Sequence, residues 1–320
     1  MRIIFLSTPE FGIASLQMLL ESRHEVVAVV TQIDKPSGRG NHLTPSPIKE
    51  FALKKGLKVL QYAKISRDGL AELRELAPDL MITASYGQIL SQAIIDIPKY
   101  GIINIHGSLL PKYRGASPVQ SAIIKGETQT GITIMQTEAG LDTGDILKKQ
   151  STTIGEDETA GELMQRLSVL GAKLLLETID EIENHTVQRE KQHHADATIT
   201  TKLKKEDCFI NFNKSAKQIK CLILGCNPDP VARALLKGEI VKIYRAKVAD
   251  FEDEESEVGT ILENSSAKAG VFVKCGQGVL EIIEAQFPGG KILPAKQLFG
   301  GRKFACGMQF DPVYIPPISN

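Results

Sequence analysis

"GIINIHGSLLPKYRG", residues 101–115, decides how this chain is read. Its opening residues are apolar and β-branched without polar alternation, the pattern of a strand covered on both faces of a parallel sheet. Asn104 and His106 close that strand two residues apart. The period of two puts both side chains on one face, so an amide and an imidazole aim at a common point. A proline-braced turn, Ser108 to Pro111, follows at once. In an open α/β sheet the carboxyl end of a strand is where ligands sit.

The flanking sequence supports such a sheet. "RIIFLS" (2–7) and "EVVAVVTQ" (25–32) read as strands with a helix, "FGIASLQMLLES" (11–22), between them. "LKVLQY" (57–62), "LAELRELA" (70–77) and "DLMITAS" (79–85) continue the alternation, the mark of a doubly wound, mostly parallel α/β sheet. "GITIMQ" (131–136) and "GDILKKQSTTI" (144–154) depart from it as a hairpin around "TEAGLDT", and residues 159–184 form a long amphipathic helix. From about residue 187 the texture changes. Residues 188–207 are polar and charged and read as a linker, and short strands with turn signals then predict a small β-barrel or sandwich. The expected organisation is a domain over 1–187, a linker over 188–207 and a second domain over 208–320.

At 320 residues, two domains are the natural expectation. The net charge is zero, so bulk electrostatic affinity for nucleic acid or membrane is not supported, and a polyanion would need a local patch. Five cysteines without a CxxC pair fit a reducing compartment; Cys221 and Cys226 match no zinc spacing, and no metal is expected. The short apolar start predicts neither a signal peptide nor a membrane span, which makes the expected location cytoplasmic. "STPEFG" (7–12) lacks the glycine spacing of a dinucleotide fingerprint, and there is no Walker A sequence. The acidic run 250–257 reads as a solvated loop.

Asp142 lies in "GLDTG", where flanking glycines permit a tight turn that exposes a carboxylate. Near His106 it would orient the imidazole. Asn104, His106 and Asp142 then make a set for acyl transfer: a donor for a developing oxyanion and a group to shuttle an amine proton. On the residues alone, His106 equally fits a satisfied strand-end histidine, Asn104 a turn cap and Asp142 an ordinary loop aspartate.

"NIHGSLLPKYRGASPVQSAI" followed by "TGITIMQTEAGLDTGDIL" resembles the formyltransferases that use 10-formyltetrahydrofolate. The shared elements are Asn-x-His, Ser-Leu-Leu-Pro and Leu-Asp-Thr-Gly in that order. The likeness extends to "STPEFG", "DKPSGRG", "SPIKEFA" and the C-terminal part, so it covers essentially the whole chain. It implies a Rossmann-like formyltransferase domain with an OB-like barrel that helps hold tRNA. It implies Asn104, His106 and Asp142 as the catalytic trio and Ser108, Leu109, Leu110 and Pro111 as folate contacts. The main chain of Tyr86, Gly87, Gln88, Ile89 and Leu90 would line the pterin pocket. The implied co-substrate is 10-formyltetrahydrofolate without a metal, and the implied acceptor is methionyl initiator tRNA, touched by Lys35 and Arg39. No membrane and no obligate protein partner are implied.

One departure from the family pattern is Asn41 and His42 where two lysines commonly follow "GRG". Relatives acting on glycinamide ribonucleotide resemble only the first domain, and those acting on sugar nucleotides lack "KPSGRG". A non-catalytic folate or RNA-binding module would be favoured by loss of a trio member, and none is lost.

Overall fold

The computed structural model describes residues 1–37 and 42–311. In chain order its first strands are β1 (Arg2–Ser7), β2 (Glu25–Thr31), a small hairpin of β3 (Lys35–Ser37) and β4 (His42–Thr44), β5 (Val59–Gln61), β6 (Leu80–Ala84), β7 (Ile102–His106), the two-residue β8 (Arg114–Gly115), β9 (Gln129–Gln136), β10 (Ile146–Thr153) and the two-residue β11 (Ile199–Thr200). Seven of them form one sheet in the order β10-β9-β7-β6-β1-β2-β5. The strands from β5 to β7 run parallel, whereas β9 is antiparallel to both β7 and β10. Ile3, Ile4, Phe5 and Leu6 of β1 and every residue of β6 are buried, as expected of strands covered on both faces.

This order has a functional consequence. From β1 the chain winds outward to β2 and β5, then returns to lay β6 and β7 on the other side of β1. The winding reverses between β1 and β6, and loops leaving such neighbours diverge and open a crevice at their carboxyl ends. The loops after β6 and β7 begin there.

Two compact units make up the chain. One comprises Met1–Gly115, Gln129–Thr153 and Met164–Ile199; the other comprises Ala116–Thr128, Ile154–Leu163 and the chain from Thr200 onward. The second unit thus takes two segments from the first half of the sequence. A packing reason is visible in helix Pro118–Ile124, which lies against helix Ala216–Cys226. They approach so closely that a Cβ on Gly225 would stand 2.5 Å from Ile124 Cγ1. Within 188–207 part of the backbone is ordered by pairing: Glu190 and Ile146 exchange N–H···O bonds of 2.8 Å, and Arg114 N–H donates to Thr198 O at 2.8 Å.

The second unit carries β12 (Ala232–Leu236), β13 (Glu239–Val248), β14 (Val271–Lys274), β15 (Val279–Gln286) and β16 (Leu293–Pro294). The order is β12-β13-β15-β14, antiparallel throughout, with β16 on β15. Single bridges join Ile261 to Val273 of β14, Thr260 to Gln309, and Phe310 to Leu236 of β12. Through them the curled sheet meets itself as a small barrel, with Phe212, Phe304 and Phe310 fully buried. Among the described residues no helix is long and apolar enough to cross a membrane.

Candidate active site

Adjacent strands place the first two side chains. In the register of β6 and β7, Thr83 stands opposite Asn104, and in that of β7 and β9, His106 stands opposite Thr133. Thr83 Oγ1 donates to Asn104 Oδ1 at 2.9 Å. With its oxygen held, the Asn104 amide has its NH2 end to offer as donor. His106 is buried, and its Nε2 lies 2.8 Å from the Tyr113 carbonyl. A carbonyl can only accept, so Nε2 carries the proton and Nδ1 is the working atom of the ring.

Asp142 reaches the same point from the loop between β9 and β10. Its Oδ2 lies 3.6 Å from His106 Nδ1, within ion-pair range but too long for a hydrogen bond. The same oxygen accepts the Gly115 N–H at 2.7 Å. It is the Tyr113 carbonyl that pins the ring, and Asp142 supplies the charge beside it. Tyr113 and Asp142 have φ of 60° and 49°, the left-handed region, which costs a side-chain-bearing residue about 1–2 kcal/mol. Such conformations persist where surrounding bonds over-determine them. Tyr113 N–H is fixed on Thr198 Oγ1 at 2.8 Å. Gly144 lets the Asp142 loop turn, since a Cβ there would meet Gln136 O at 2.0 Å.

The expected folate contacts lie on the two loops leaving β6 and β7. After β7, Ser108 Oγ donates to Lys112 O, Thr133 Oγ1 donates to Ser108 O, and Leu110 N–H donates to Thr133 Oγ1. Ser108 and Leu110 are buried, while Leu109 and Pro111 are half-buried on the turn. After β6, the Tyr86 carbonyl accepts from Thr8 Oγ1 and Gln32 Nε2. Gly87 has a φ of +80°, and the Gln88 side chain bridges Ile65 N–H and Tyr62 O. Burial pushes the Tyr86 phenol up to about 12. Leu90 packs on the core. Ile89, by contrast, is 91% exposed. A cavity of about 420 Å³ lies beside this loop, lined by Gln32, Lys35, Lys64, Gln88 and the apolar Ile33 and Ile89. It could take a flat, partly apolar ligand.

Of the expected tRNA contacts, Lys35 begins β3, with Nζ 2.7 Å from Gln32 Oε1. Arg39 and Asn41 lie outside the described residues, and His42 is exposed at the start of β4. Among the described residues one cluster of metal-binding residue types, His24, Asp180 and Glu183, lies elsewhere; Arg23 Nη2 sits 2.7 Å from both carboxylates, and the N-terminal amine lies 3.8 Å from Glu183, so cations already occupy their surroundings.

Several groups that hold the site were not singled out from sequence: Thr83, the Tyr113 carbonyl, the Gly115 N–H, Thr133, Arg114 and Gln192. Thr83 had one available signal, its place at the end of a buried apolar run in the neighbouring strand. The backbone groups had none.

Two family models match the chain, "Formyl transferase" over residues 1–179 and "Formyl transferase, C-terminal domain" over 202–303. The chain is 48% identical over 308 residues to the methionyl-tRNA formyltransferase of Acetivibrio thermocellus, covering 96% of this chain and 98% of that protein. Among solved structures it resembles WlaRD, a sugar 3N-formyl transferase crystallised with dTDP and 5-N-formyl-THF (TM-score 0.66, 20% identity, 91% of this chain and 99% of that one). It also resembles HypX from Aquifex aeolicus in complex with tetrahydrofolic acid (TM-score 0.63, 17% identity, 94% of this chain and 47% of that one). The two solved structures bear on the fold.

Proposed function

The chain belongs to the methionyl-tRNA formyltransferase family, and on that premise we propose that the cluster at the ends of β6 and β7 moves a formyl group from 10-formyltetrahydrofolate to the α-amino group of methionyl initiator tRNA. The observation that carries this reading is the pair of His106 Nδ1 and the Asp142 carboxylate, 3.6 Å apart at the end of the strand whose same face carries the Asn104 amide.

The neutral amine attacks the formyl carbon. A carbon–nitrogen bond forms, the carbonyl oxygen becomes an oxyanion, and collapse breaks the bond to N10 of the folate. The proton lost by the amine ends on N10. The Asn104 NH2 group donates to the oxyanion, its direction set by Thr83. His106 works through Nδ1, because Nε2 is committed to Tyr113. When protonated it adds a second donor, and when neutral it accepts the amine proton. Asp142 stabilises the charged ring in either half of that exchange. An α-amino group is partly neutral at neutral pH, so no strong base is needed. The loop Ser108–Pro111 and the main chain of Tyr86–Leu90 would hold the folate, with Lys35 and Arg39 on tRNA phosphates. Hydrogen bonds to a formyl oxygen suffice to polarise it, so the mechanism calls on no metal.

The test mixes the protein and 10-formyltetrahydrofolate with methionyl initiator tRNA, or with an amino-sugar nucleotide, and follows tetrahydrofolate release. Turnover with the first acceptor is expected; turnover with the sugar nucleotide alone would sink this reading.

A further inference from the structure

Gln192 lies in the polar stretch that follows the long helix, yet it is only 6% exposed. Every hydrogen-bonding position of its amide is used. Oε1 accepts from Arg114 Nε at 3.0 Å and Arg114 Nη2 at 2.7 Å. Nε2 donates to the carbonyls of Asp142 at 2.8 Å and Gly144 at 2.7 Å. A guanidinium only donates and a carbonyl only accepts, so the orientation of this amide is unambiguous.

Its two ends touch the two loops that make the site. Arg114 stands between Tyr113, whose carbonyl holds His106, and Gly115, whose N–H holds the Asp142 carboxylate. Asp142 is therefore gripped twice, at its carboxylate by Gly115 and at its own carbonyl by Gln192. Residues 139–141, just before it, are exposed, and the left-handed φ of 49° at Asp142 has to be held from outside.

We propose that Gln192 is a positioning residue for formyl transfer: through Arg114 and the carbonyls of Asp142 and Gly144 it sets the place of the Asp142 carboxylate against His106. It never meets either substrate. The proposal rests on the formyl-transfer reading, and the sequence around Gln192 reads only as a solvated connection.

Two variants of the full chain test it. Gln192→Glu keeps the size and the oxygen facing Arg114, but sets a carboxylate oxygen against two carbonyl oxygens. Gln192→Met removes both sets of bonds without adding charge, and serves if the first variant does not fold. The expected result is a kcat lower by about 10- to 100-fold, the usual scale for groups that orient functional side chains, with the KM for 10-formyltetrahydrofolate within about twofold of the parent. On an Asp142→Asn background the same change should add less than about twofold, because the two residues act as a unit. In the substrate-free protein, the ring-nitrogen chemical shifts of His106 should move in the variant as they move in Asp142→Asn. Undiminished kcat in a folded variant, full multiplication of the two losses, or unmoved His106 shifts would each overturn the proposal. A parent protein without any formyl transfer would instead overturn the formyl-transfer reading, and the His106 shifts would still decide on Gln192.

Discussion

His106 is 5% exposed and Leu43, on the β3–β4 hairpin, is 70% exposed. Both belong to loops or strand ends on the same unit, yet they are held in different ways. Around His106, bonds to the trio and the Ser108 turn arrive from Thr83, from Tyr113 and Gly115, from Thr133 and from Gln192, four separate segments of the chain. The hairpin is a two-stranded ladder that pairs within itself, Lys35 with Thr44, Pro36 with Leu43 and Ser37 with His42. Chemistry needs reacting atoms held to a fraction of an ångström, and a network from many segments does that. In the proposed function the ladder's part would be reach toward a large charged partner, with Lys35 its charged residue among the described pairs.

The hardest blow to this contrast falls at the site. In the proposed mechanism His106→Ala removes an oxyanion donor, and it should lower kcat by about two to three orders of magnitude while folate binding persists. Asp142→Asn keeps size and shape and should lose most turnover without unfolding. Near-parental rates in single-turnover assays of both would make the buried network a packing device and erase the distinction. Next in size are the two expected tRNA contacts. Lys35→Ala and Arg39→Ala should each lower kcat/KM for methionyl-tRNA by about tenfold, and reduce its salt dependence by about one phosphate contact. The same variants should use a methionyl ester as the parent does, since the ester has no phosphates. Equal losses on both acceptors would place these residues in the chemistry instead.

A smaller effect belongs to the foot of the hairpin. Ser46 caps helix Pro47–Lys54 by accepting the Lys49 N–H, and shares a 2.8 Å bond with Thr31 Oγ1. Ser46→Ala should cost about 1 kcal/mol of stability, read as a shift in the denaturation midpoint, with both kcat values unchanged. A fall in kcat would show that the hairpin's anchor and the site are coupled. The smallest effect is one of pH. Lys49, with help from Gln61, holds the Asp34 carboxyl below the usual carboxylate range. A depressed folded-state value means this contribution is complete above the ordinary aspartate range and is lost as pH falls through the lowered value. Acid titration should loosen the hairpin's foot only below about pH 4, and Asp34→Asn should remove that dependence. An unchanged acid profile of the neighbouring amide exchange rates in Asp34→Asn would assign it to other carboxylates.

Much of the frame was legible because it rests on pattern. Unbroken β-branched runs mark the buried strands β1, β6 and β7, and the helical period marks Ala160–Glu183. The departure from parallel winding at β9 and β10 showed in the short glycine-rich connection. Asn104 and His106 were visible as a pair because a strand alternates faces. The partners that hold the trio were not. A Tyr113 carbonyl and a Gly115 N–H look the same in every sequence, and Gln192 sits among charges that mask its burial. Membership of Ala116–Thr128 in the second unit was equally hidden, since it depends on helix Pro118–Ile124 meeting the bare backbone at Gly225.

The barrel's seam has a consequence for how the protein is made. On the side away from β13 and β15, and among the described residues, two dipeptides link strands β12 and β14, Thr260–Ile261 and Gln309–Phe310. Phe310 also stacks on Phe212, with ring centroids 5.1 Å apart, so the clasp is covered by core. A nascent chain halted before residue 309, or a gene with a premature stop there, would release a sheet with two raw edges. Such edges pair readily with another chain. Ribosomal stalling late in this message should therefore yield aggregates or protease substrates, even though all of the first unit has already been synthesised.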